Sequence, residues 1–149
     1  MAQAVVLDLF AGTGAFGFEA LSRGAAAVTL VDIDSHNVAG LAQVKSSLDA
    51  GQATIKQADA EKWLTSSTPT PFDIVFLDPP FKADLLSSVC HLLENNHWLA
   101  PHAWVYVEQA KTANPPCLPK NWHIHRDKTA GQVRYYLVER VAIGQGERQ

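Results

Sequence analysis

Residues 8–17, DLFAGTGAFG, place a glycine-rich turn between an apolar run and a helix-like segment. The run over residues 4–9 is short and apolar enough to form a buried strand, and residues 15–23 suit a helix that ends at Gly24. Glycine allows a tight turn and lets a ligand approach the main chain without a Cβ in the way. The free N–H groups at the start of the helix favour a carboxylate or a phosphate. This order of strand, loop and helix predicts a binding site for a nucleoside-type cofactor in an α/β domain.

Strand-like and helix-like segments alternate along the rest of the chain, with no internal repeat and no linker. Four further strands are predicted, over residues 28–31, 53–57, 72–77 and 103–107. Ser35 and Asp84 are expected to cap the helices that follow the second and fourth strands. The last two predicted strands, residues 122–126 and 133–139, form a hairpin with a turn at Gly131.

Five βα units followed by a hairpin do not match the symmetric six-stranded sheet that binds dinucleotides. The pattern predicts instead the Rossmann-like α/β fold of class I S-adenosylmethionine-dependent methyltransferases. In that fold a seven-stranded, mostly parallel sheet ends in a C-terminal antiparallel hairpin. Residues 1–149 are expected to form one catalytic domain of ordinary size.

The composition is that of a globular protein, with 47% hydrophobic and 18% charged residues. The apolar runs are too short to span a bilayer, and the first residues do not have the pattern of a signal peptide. Cys90 and Cys117 belong to no CxxC pair, which is typical of a reducing compartment without structural disulfides. We therefore expect a cytoplasmic, monomeric protein that does not associate with a membrane.

Charge is distributed unevenly along the chain, whose formal net charge is −3. Residues 1–110 carry 5 basic and 12 acidic residues, a balance of −7, whereas residues 111–149 carry 7 basic and 3 acidic residues, a balance of +4. The C-terminal excess could bind an anionic partner, and an unevenly charged, solvated surface is an equally good interpretation. Arg126, Lys128 and Arg134, around the predicted hairpin, are the candidates for contacts with RNA phosphates.

The glycine pattern by itself does not choose between cofactors. Gly12, Gly14 and Gly17 satisfy GxGxxG, and Asp32 follows Gly12 by twenty residues, as in NAD-binding proteins. Asp32 can accept hydrogen bonds from ribose hydroxyls in either case. An NAD-linked oxidoreductase would also need a hydride-transfer acid or base and a substrate domain, and the sequence shows neither.

Two further acidic residues favour S-adenosylmethionine over NAD. Asp8 comes just before the loop, where S-adenosylmethionine carries its cationic amino-acid end. A dinucleotide would carry its pyrophosphate there, and a carboxylate would repel it. Asp59, after the third strand, is placed to accept from an adenine N6 amine. Each acid alone could as well cap a helix or face water, but three acids at successive strand ends indicate a site.

Residues 78–81, DPPF, directly follow the apolar fourth strand. An exocyclic base amine is a poor nucleophile because its lone pair is delocalised into the ring. The carboxylate of Asp78 and the carbonyl of Pro79 could each accept one of its N–H groups and turn the lone pair toward a methyl donor. Pro80 stiffens this backbone, and Phe81 can stack on the base. The motif predicts methylation of an amine on an unpaired or flipped-out base.

Several stretches resemble the ribosomal small-subunit methyltransferase D family, whose members are 16S rRNA guanine-N2 methyltransferases. The likeness rests on LDLFAGTG at residues 7–14, on DPPF at 78–81 and on segments at 96–99, 105–108 and 130–133, and it covers nearly the whole chain. It implies that guanine is held by residues 78–81. It also implies that the partner is 16S rRNA or the small ribosomal subunit.

The resemblance implies a set of residues that hold S-adenosyl-L-methionine, with Phe10, Ile33 and Ala60 beside the acids and glycines. The expected set is Asp8, Phe10, Gly12, Gly14, Asp32, Ile33, Asp59 and Ala60. In the family an arginine-rich arm precedes the first strand. This chain begins almost at that strand and is expected to lack the arm, and so to bind the cofactor but to capture rRNA weakly.

Two other functions are compatible with the same motifs. One is a non-catalytic RNA-binding or ribosome-assembly module built on a methyltransferase fold. The other is an amino-methyltransferase that acts on another base, on DNA or on a protein, because DPPF recognises an amine and does not by itself identify a base. No metal site is predicted: His123 and His125 alternate along a strand near Cys117, but no further ligands follow at a suitable spacing.

Overall fold

Strands and helices alternate in the computed structural model, which describes residues 2–80 and 84–143. The strands are β1 (Val5–Asp8), β2 (Ala27–Asp32), β3 (Ala53–Gln57), β4 (Phe72–Leu77), β5 (Leu99–Ala110), β6 (Trp122–Ala130) and β7 (Val133–Val141). The helices are α1 (Ala15–Ser22), α2 (Ser35–Ser47), α3 (Ala60–Ser66) and α4 (Leu85–Asn95). The predicted order of elements is confirmed up to the fifth strand, and so is the closing hairpin.

All seven strands form one sheet in the order β3-β2-β1-β4-β5-β7-β6. The strands from β1 to β5 run parallel, and β7 pairs antiparallel with both β5 and β6. The strand order reverses between β1 and β4, and a crevice opens at the carboxyl ends of the strands at such a reversal. The sheet therefore brings the loops after β1, β2, β3, β4 and β5 to one edge. The predicted seven-stranded, mostly parallel sheet is confirmed.

Helices cover the sheet on two faces, and the alternation of side chains along each strand divides the core between them. On one face Val6 and Leu30 pack with Leu41 of α2 and with residues of α1. On the other, Leu7 and Val75 pack with residues of α3 and α4. Two of the four tryptophans, Trp98 and Trp122, are buried in the second of these clusters.

Three local predictions on the helices need correction. Helix α2 is capped by Asp34, whose side chain accepts from the Asn37 N–H at 3.0 Å, and not by Ser35. Asp84 precedes α4 in a left-handed conformation, with φ of 66°, and its side chain makes no capping hydrogen bond. Val38, Leu41, Val44 and Leu48 recur at helical spacing, which predicts one buried face for α2. Leu48, however, lies just past the end of that helix and is 60% exposed.

Strand β5 is longer than the predicted residues 103–107 because it has partners on both sides, β4 and β7, along much of its length. Strand β6 likewise continues to Ala130 because it pairs with β7 up to the turn at Gly131. Within the described residues no helix follows β5, so the fifth βα unit was wrong. The chain enters a loop that contains Pro115, Pro116 and Pro119, as this cluster of prolines predicts, because proline cannot donate a backbone hydrogen bond to a helix.

One ion pair fastens the hairpin to α4. Arg140 of β7 donates to both carboxylate oxygens of Glu94 at 2.8 Å, and the Trp122 indole N–H donates to the same carboxylate at 2.8 Å. Burial alone would raise the pKa of Glu94, but the hydrogen bonds from Arg140 and Trp122 hold that pKa below its usual value.

Within residues 2–80 and 84–143, no helix is both long and apolar enough to cross a bilayer.

Candidate active site

The glycine-rich loop connects β1 to α1 through left-handed backbone that glycine alone adopts readily. Gly12 has φ of 56° and Gly14 has φ of 82°. A Cβ on Gly14 would lie 2.6 Å from the ring of Phe18, so this position is closed to larger residues for packing reasons as well. A Cβ on Gly17 would lie 2.8 Å from Leu30. The loop is therefore shaped by close packing of α1 against the sheet and leaves open space above Gly12.

Asp32, at the end of β2, holds this loop in place. One carboxylate oxygen accepts from the Gly12 N–H at 2.8 Å, and the other accepts from the Asp34 N–H at 2.9 Å and from the Asn37 side chain at 3.3 Å. A carboxylate has about four lone-pair positions, so Asp32 retains capacity for a ligand hydroxyl. The residue can serve both the loop and a ribose.

Asp8, at the end of β1, lies beneath the loop and is only 2% exposed. Its carboxylate accepts from the Gly17 N–H at 3.0 Å. Burial raises the pKa of Asp8 to about 7, the Gly17 N–H opposes this rise, and the charges of Asp78 and Asp32 add to it. A cation bound nearby would favour the ionised form of Asp8 and lower that pKa again.

Most of the predicted cofactor residues line one cleft of about 640 Å³, here called the glycine-loop cleft. It brings together Phe10, Gly12, Asp32, Ile33, Asp59 and Ala60 and is closed on one side by Asp78, Pro79 and Pro80. Ile33 is 65% exposed, which leaves an apolar surface facing the cleft. Asp8 and Gly14 do not line the cleft; they support its floor through their packing and the hydrogen bond to Gly17.

Asp59 has a structural task in addition to its place in the cleft. Its side chain caps α3 by accepting from the Lys62 N–H at 3.0 Å, which was the alternative interpretation of this residue. Only one of its two oxygens takes part in this bond. Asp59 can therefore cap the helix and still offer an acceptor to a ligand amine.

A second cavity, of about 530 Å³, lies on the other side of Asp78, Pro79 and Pro80 and is called here the β5-side cavity. Its walls include Glu108, the loop after β5 and Val133 at the start of β7. The Asp-Pro-Pro segment is common to both spaces. Burial raises the pKa of Asp78, and the nearby charge of Glu108 raises it further, which makes this carboxylate a better proton acceptor. Phe81, the last residue of DPPF, lies outside the described residues.

Glu108 was missed as a site residue by sequence reasoning. It follows Val107 of β5, which pairs in register with Leu77 of β4, and Asp78 follows Leu77. Glu108 and Asp78 therefore stand side by side at the ends of neighbouring strands. The alternation of Trp104, Tyr106 and Glu108 along one face of β5 could have pointed to it, had the strand been extended past Val107.

The two histidines considered for a metal site and the three residues predicted to contact RNA phosphates all lie on the C-terminal hairpin. His123 and His125 are exposed on β6, and no cluster of three or more metal-ligating side chains occurs in the described part of the chain. Arg134, one of the phosphate candidates, is bound to Asp127 through two hydrogen bonds of 3.0 and 2.8 Å. Arg126 and Lys128 are exposed.

Comparison with known proteins gives consistent matches. Residues 1–139 match the family described as conserved hypothetical protein 95. The chain is 44% identical to ribosomal RNA small subunit methyltransferase D of Escherichia coli K12, over 97% of this chain and 73% of that protein. It is 41% identical to the protein of the same name from Haemophilus influenzae, over 92% of this chain and 72% of that protein. A solved structure described as a putative methyltransferase from Escherichia coli has a TM-score of 0.90 and 45% identity, covering 95% of this chain and 79% of that one. The fold is that of class I methyltransferases, as predicted.

Proposed function

The chain belongs to the conserved hypothetical protein 95 family, which matches residues 1–139, and we propose that it methylates ribosomal RNA with S-adenosylmethionine as methyl donor. The proposed target is the exocyclic N2 amine of a guanine in 16S rRNA, free or within the small subunit. The observation that carries this proposal is the Asp78-Pro79-Pro80 segment, which separates two adjoining spaces and lines both. One space suits a nucleoside cofactor and the other suits a base.

The glycine-loop cleft fits S-adenosylmethionine in size and in chemistry. Its volume of about 640 Å³ lies within the range of small-molecule sites, roughly 300–1,000 Å³. Asp32 would accept from the ribose hydroxyls and Asp59 from the adenine amine, with Ile33 against the adenine ring. Asp8 would balance the cationic amino-acid end through the floor of the cleft. A dinucleotide pyrophosphate would bring further negative charge toward Asp8 and Asp78, which disfavours NAD.

When bound, S-adenosylmethionine supplies a methyl group on a positively charged sulfur, which keeps the bonding electron pair as the methyl leaves. Asp78 and the carbonyl of Pro79 would each accept one N–H of the guanine amine, which makes its lone pair available to the methyl carbon. As the new N–C bond forms, the nitrogen becomes positively charged and loses one proton to Asp78 or to water. The raised pKa of Asp78 suits this role. Positioning and electrostatic stabilisation are then the main contributions of the protein.

Two exposed lysines are neighbours, along the chain or across the sheet, of the stretches that line the β5-side cavity. Lys111 is exposed and adjoins Ala110 and Thr112, which line the cavity. Exposed Lys128 pairs in register with Tyr135, near Val133 of the cavity wall. We propose that these lysines bind phosphates that flank the flipped-out guanine. Phosphate contacts of this kind position RNA without reading its sequence.

The direct test is to incubate the protein and labelled S-adenosylmethionine with unmethylated 16S rRNA and, separately, with unmethylated small subunits. The expected product is N2-methylguanosine, identified by nuclease digestion and mass spectrometry. Another methylated nucleoside would favour an amino-methyltransferase of different specificity. Binding of RNA and cofactor without transfer would favour the non-catalytic module, and calorimetry with NAD and with S-adenosylhomocysteine would separate the two cofactors.

Three broader expectations stay predictions. They are that residues 1–149 act as one catalytic domain, that the protein is a monomer and that it works in the cytoplasm. Analytical ultracentrifugation at several protein concentrations tests whether the protein is a monomer. Limited proteolysis with and without S-adenosylhomocysteine tests whether the chain forms one domain.

A further inference from the structure

The β5-side cavity is rich in hydrogen-bond acceptors. It is lined by three carboxylates, those of Asp78, Asp84 and Glu108, and no lysine or arginine is present among its described lining residues. Each of these carboxylates, when ionised, would repel an RNA phosphate. A base edge that carries hydrogen-bond donors would be favoured, because each carboxylate oxygen can accept more than one N–H.

Glu108 is positioned within this cavity by its neighbours. The Tyr106 hydroxyl donates to one of its oxygens at 3.2 Å. Tyr106 itself is held between aromatic rings, with ring centroids 5.4 Å from Phe16 and 6.0 Å from Tyr135. In the described part of the chain, Glu108 has no salt bridge and no other hydrogen-bond donor. Within residues 2–80 and 84–143, its second oxygen accepts no hydrogen bond.

Guanine presents two adjacent donors on its Watson–Crick edge, the N1–H and the N2 amine. Adenine and cytosine present a ring nitrogen that is an acceptor in the position next to their amine. A carboxylate beside the amine-binding segment can therefore separate guanine from both. Enzymes that act on a flipped base recognise it through hydrogen bonds to this edge.

On the basis of the proposed function, we propose that Glu108 is a specificity residue that accepts the N1–H of the target guanine while Asp78 and Pro79 hold its N2 amine. The registered ends of β4 and β5 place the two carboxylates side by side, as the two adjacent donors require. In a purine with an unprotonated N1, that nitrogen and the Glu108 carboxylate would both be hydrogen-bond acceptors. They would repel each other, and the purine would be rejected. Sites built to bind a substrate N–H discriminate strongly against analogues that lack it.

The test compares two RNAs, one with the target guanosine and one with 2-aminopurine in its place. 2-Aminopurine keeps the N2 amine but has no N1–H. For the wild-type protein we expect kcat/KM to favour guanosine by about 100-fold or more. Glu108→Gln should lower kcat/KM for guanosine and reduce that preference by about 10-fold or more, because the amide can donate to the unprotonated N1. The analogue also lacks O6, but this difference is common to both proteins and cancels in the comparison.

Two further variants complete the experiment. Tyr106→Phe keeps the Glu108 carboxylate and removes the hydroxyl that orients it. The preference for guanosine over 2-aminopurine should therefore also fall, by a smaller factor than in Glu108→Gln. Glu139→Gln is the matched control, because Glu139 lies on the same face of the sheet as Glu108, pairs with His102 and lines neither cavity. The Glu139→Gln protein should prefer guanosine over 2-aminopurine by the same factor as the wild type. Thermal unfolding of each variant monitors the fold, and Tyr106→Phe remains decisive if Glu108→Gln fails to fold.

The outcomes separate this assignment from the proposed function. If the wild type forms N2-methylguanosine and neither Glu108→Gln nor Tyr106→Phe changes the preference, the role of Glu108 is wrong and the proposed function stands. If the wild type methylates a different nucleoside or none, both are wrong.

Discussion

The two spaces that meet at Asp78-Pro79-Pro80 use acidic residues in opposite ways. Around the glycine-loop cleft, Asp8, Asp32 and Asp59 each accept at least one backbone N–H of the protein itself. The three carboxylates of the β5-side cavity accept no backbone N–H from the described residues, and Glu108 alone accepts from a side chain there. Acids of the first group build the binding site, whereas acids of the second group leave their lone pairs for a substrate.

This difference has a measurable consequence. Asp32 and Asp59, which are only partly buried, satisfy backbone N–H groups and should contribute to stability and to ligand affinity together, because their removal leaves donors without partners. A carboxylate without protein partners contributes little to stability and can even oppose it when partly buried. Substitutions in the two regions should therefore separate into those that change binding and stability and those that change turnover.

The largest effect is expected at Asp78. Asp78→Ala removes an acceptor that is most important as positive charge develops on the amine, so kcat should fall by about 100-fold or more. Cofactor affinity and the melting temperature should change little, because Asp78 holds no described backbone group. Asp78→Asn, whose amide oxygen still accepts, should be less impaired. Single-turnover methyl transfer and calorimetry with S-adenosylhomocysteine measure both effects, and full activity in Asp78→Ala would reduce the motif to the end of a strand.

Asp32 should show the opposite behaviour. Asp32→Ala removes the ribose acceptor and releases the Gly12 and Asp34 N–H groups, so affinity for S-adenosylhomocysteine should fall by about 10- to 100-fold and the melting temperature should fall with it. Glu19→Ala is a suitable control, since the one described side-chain hydrogen bond of Glu19 is its exposed pair with Arg23. Unchanged affinity in Asp32→Ala, measured by calorimetry, would mean that the loop and not the carboxylate binds the ribose.

Asp8 should make stability depend on pH. Its pKa is about 7 in the folded protein and 3.8 without burial, so between these values the folded state holds a proton that the unfolded state has released. Stability contributed by protonated Asp8 therefore disappears as pH rises from about 4 to about 7. Asp8→Asn should remove this dependence and stabilise the free protein above about pH 7 by roughly 1–2 kcal/mol, because burying an amide also costs free energy.

Urea denaturation of wild type and Asp8→Asn at a series of pH values checks this prediction, since the difference between them isolates Asp8 from other titrating groups. The same variant should bind S-adenosylhomocysteine less tightly than the wild type at neutral pH. Parallel stability curves for the two proteins would show that Asp8 is ionised in the free fold.

The smallest effect is expected from the lysines at the cavity entrance. The double variant Lys111→Ala, Lys128→Ala should reduce RNA affinity by a few-fold and lower the slope of log affinity against log salt by about one for each phosphate that the protein no longer binds. The matched control is Lys45→Ala, Lys56→Ala, which removes the same charge near α2 and β3, at the other edge of the sheet. If the two double variants gave identical salt titrations, RNA binding would depend on the total charge of the protein and not on the positions of Lys111 and Lys128.

Much of this architecture could be predicted because it depends on local signals. The glycine loop, the apolar run at β2 and the acids at the strand ends all have local physical causes. The structure places the loop and the three acids after β1, β2 and β3, but Asp8 and Gly14 do not line the cleft. The choice between Asp34 and Ser35 as the cap of α2 could not be predicted, since both side chains are good caps and the backbone decides. Glu108 was missed because its position depends on pairing between β4 and β5, and register across a sheet is a long-range property.

The segment shared by the two spaces also couples their occupants. Asp78, Pro79 and Pro80 line both spaces, so a ligand that fixed this segment on one side would alter the free energy of binding on the other. Thermodynamic linkage makes such coupling reciprocal: the factor by which the cofactor changes the affinity for RNA equals the factor by which RNA changes the affinity for the cofactor. An enzyme built around a common wall can thus favour the ternary complex over either binary one.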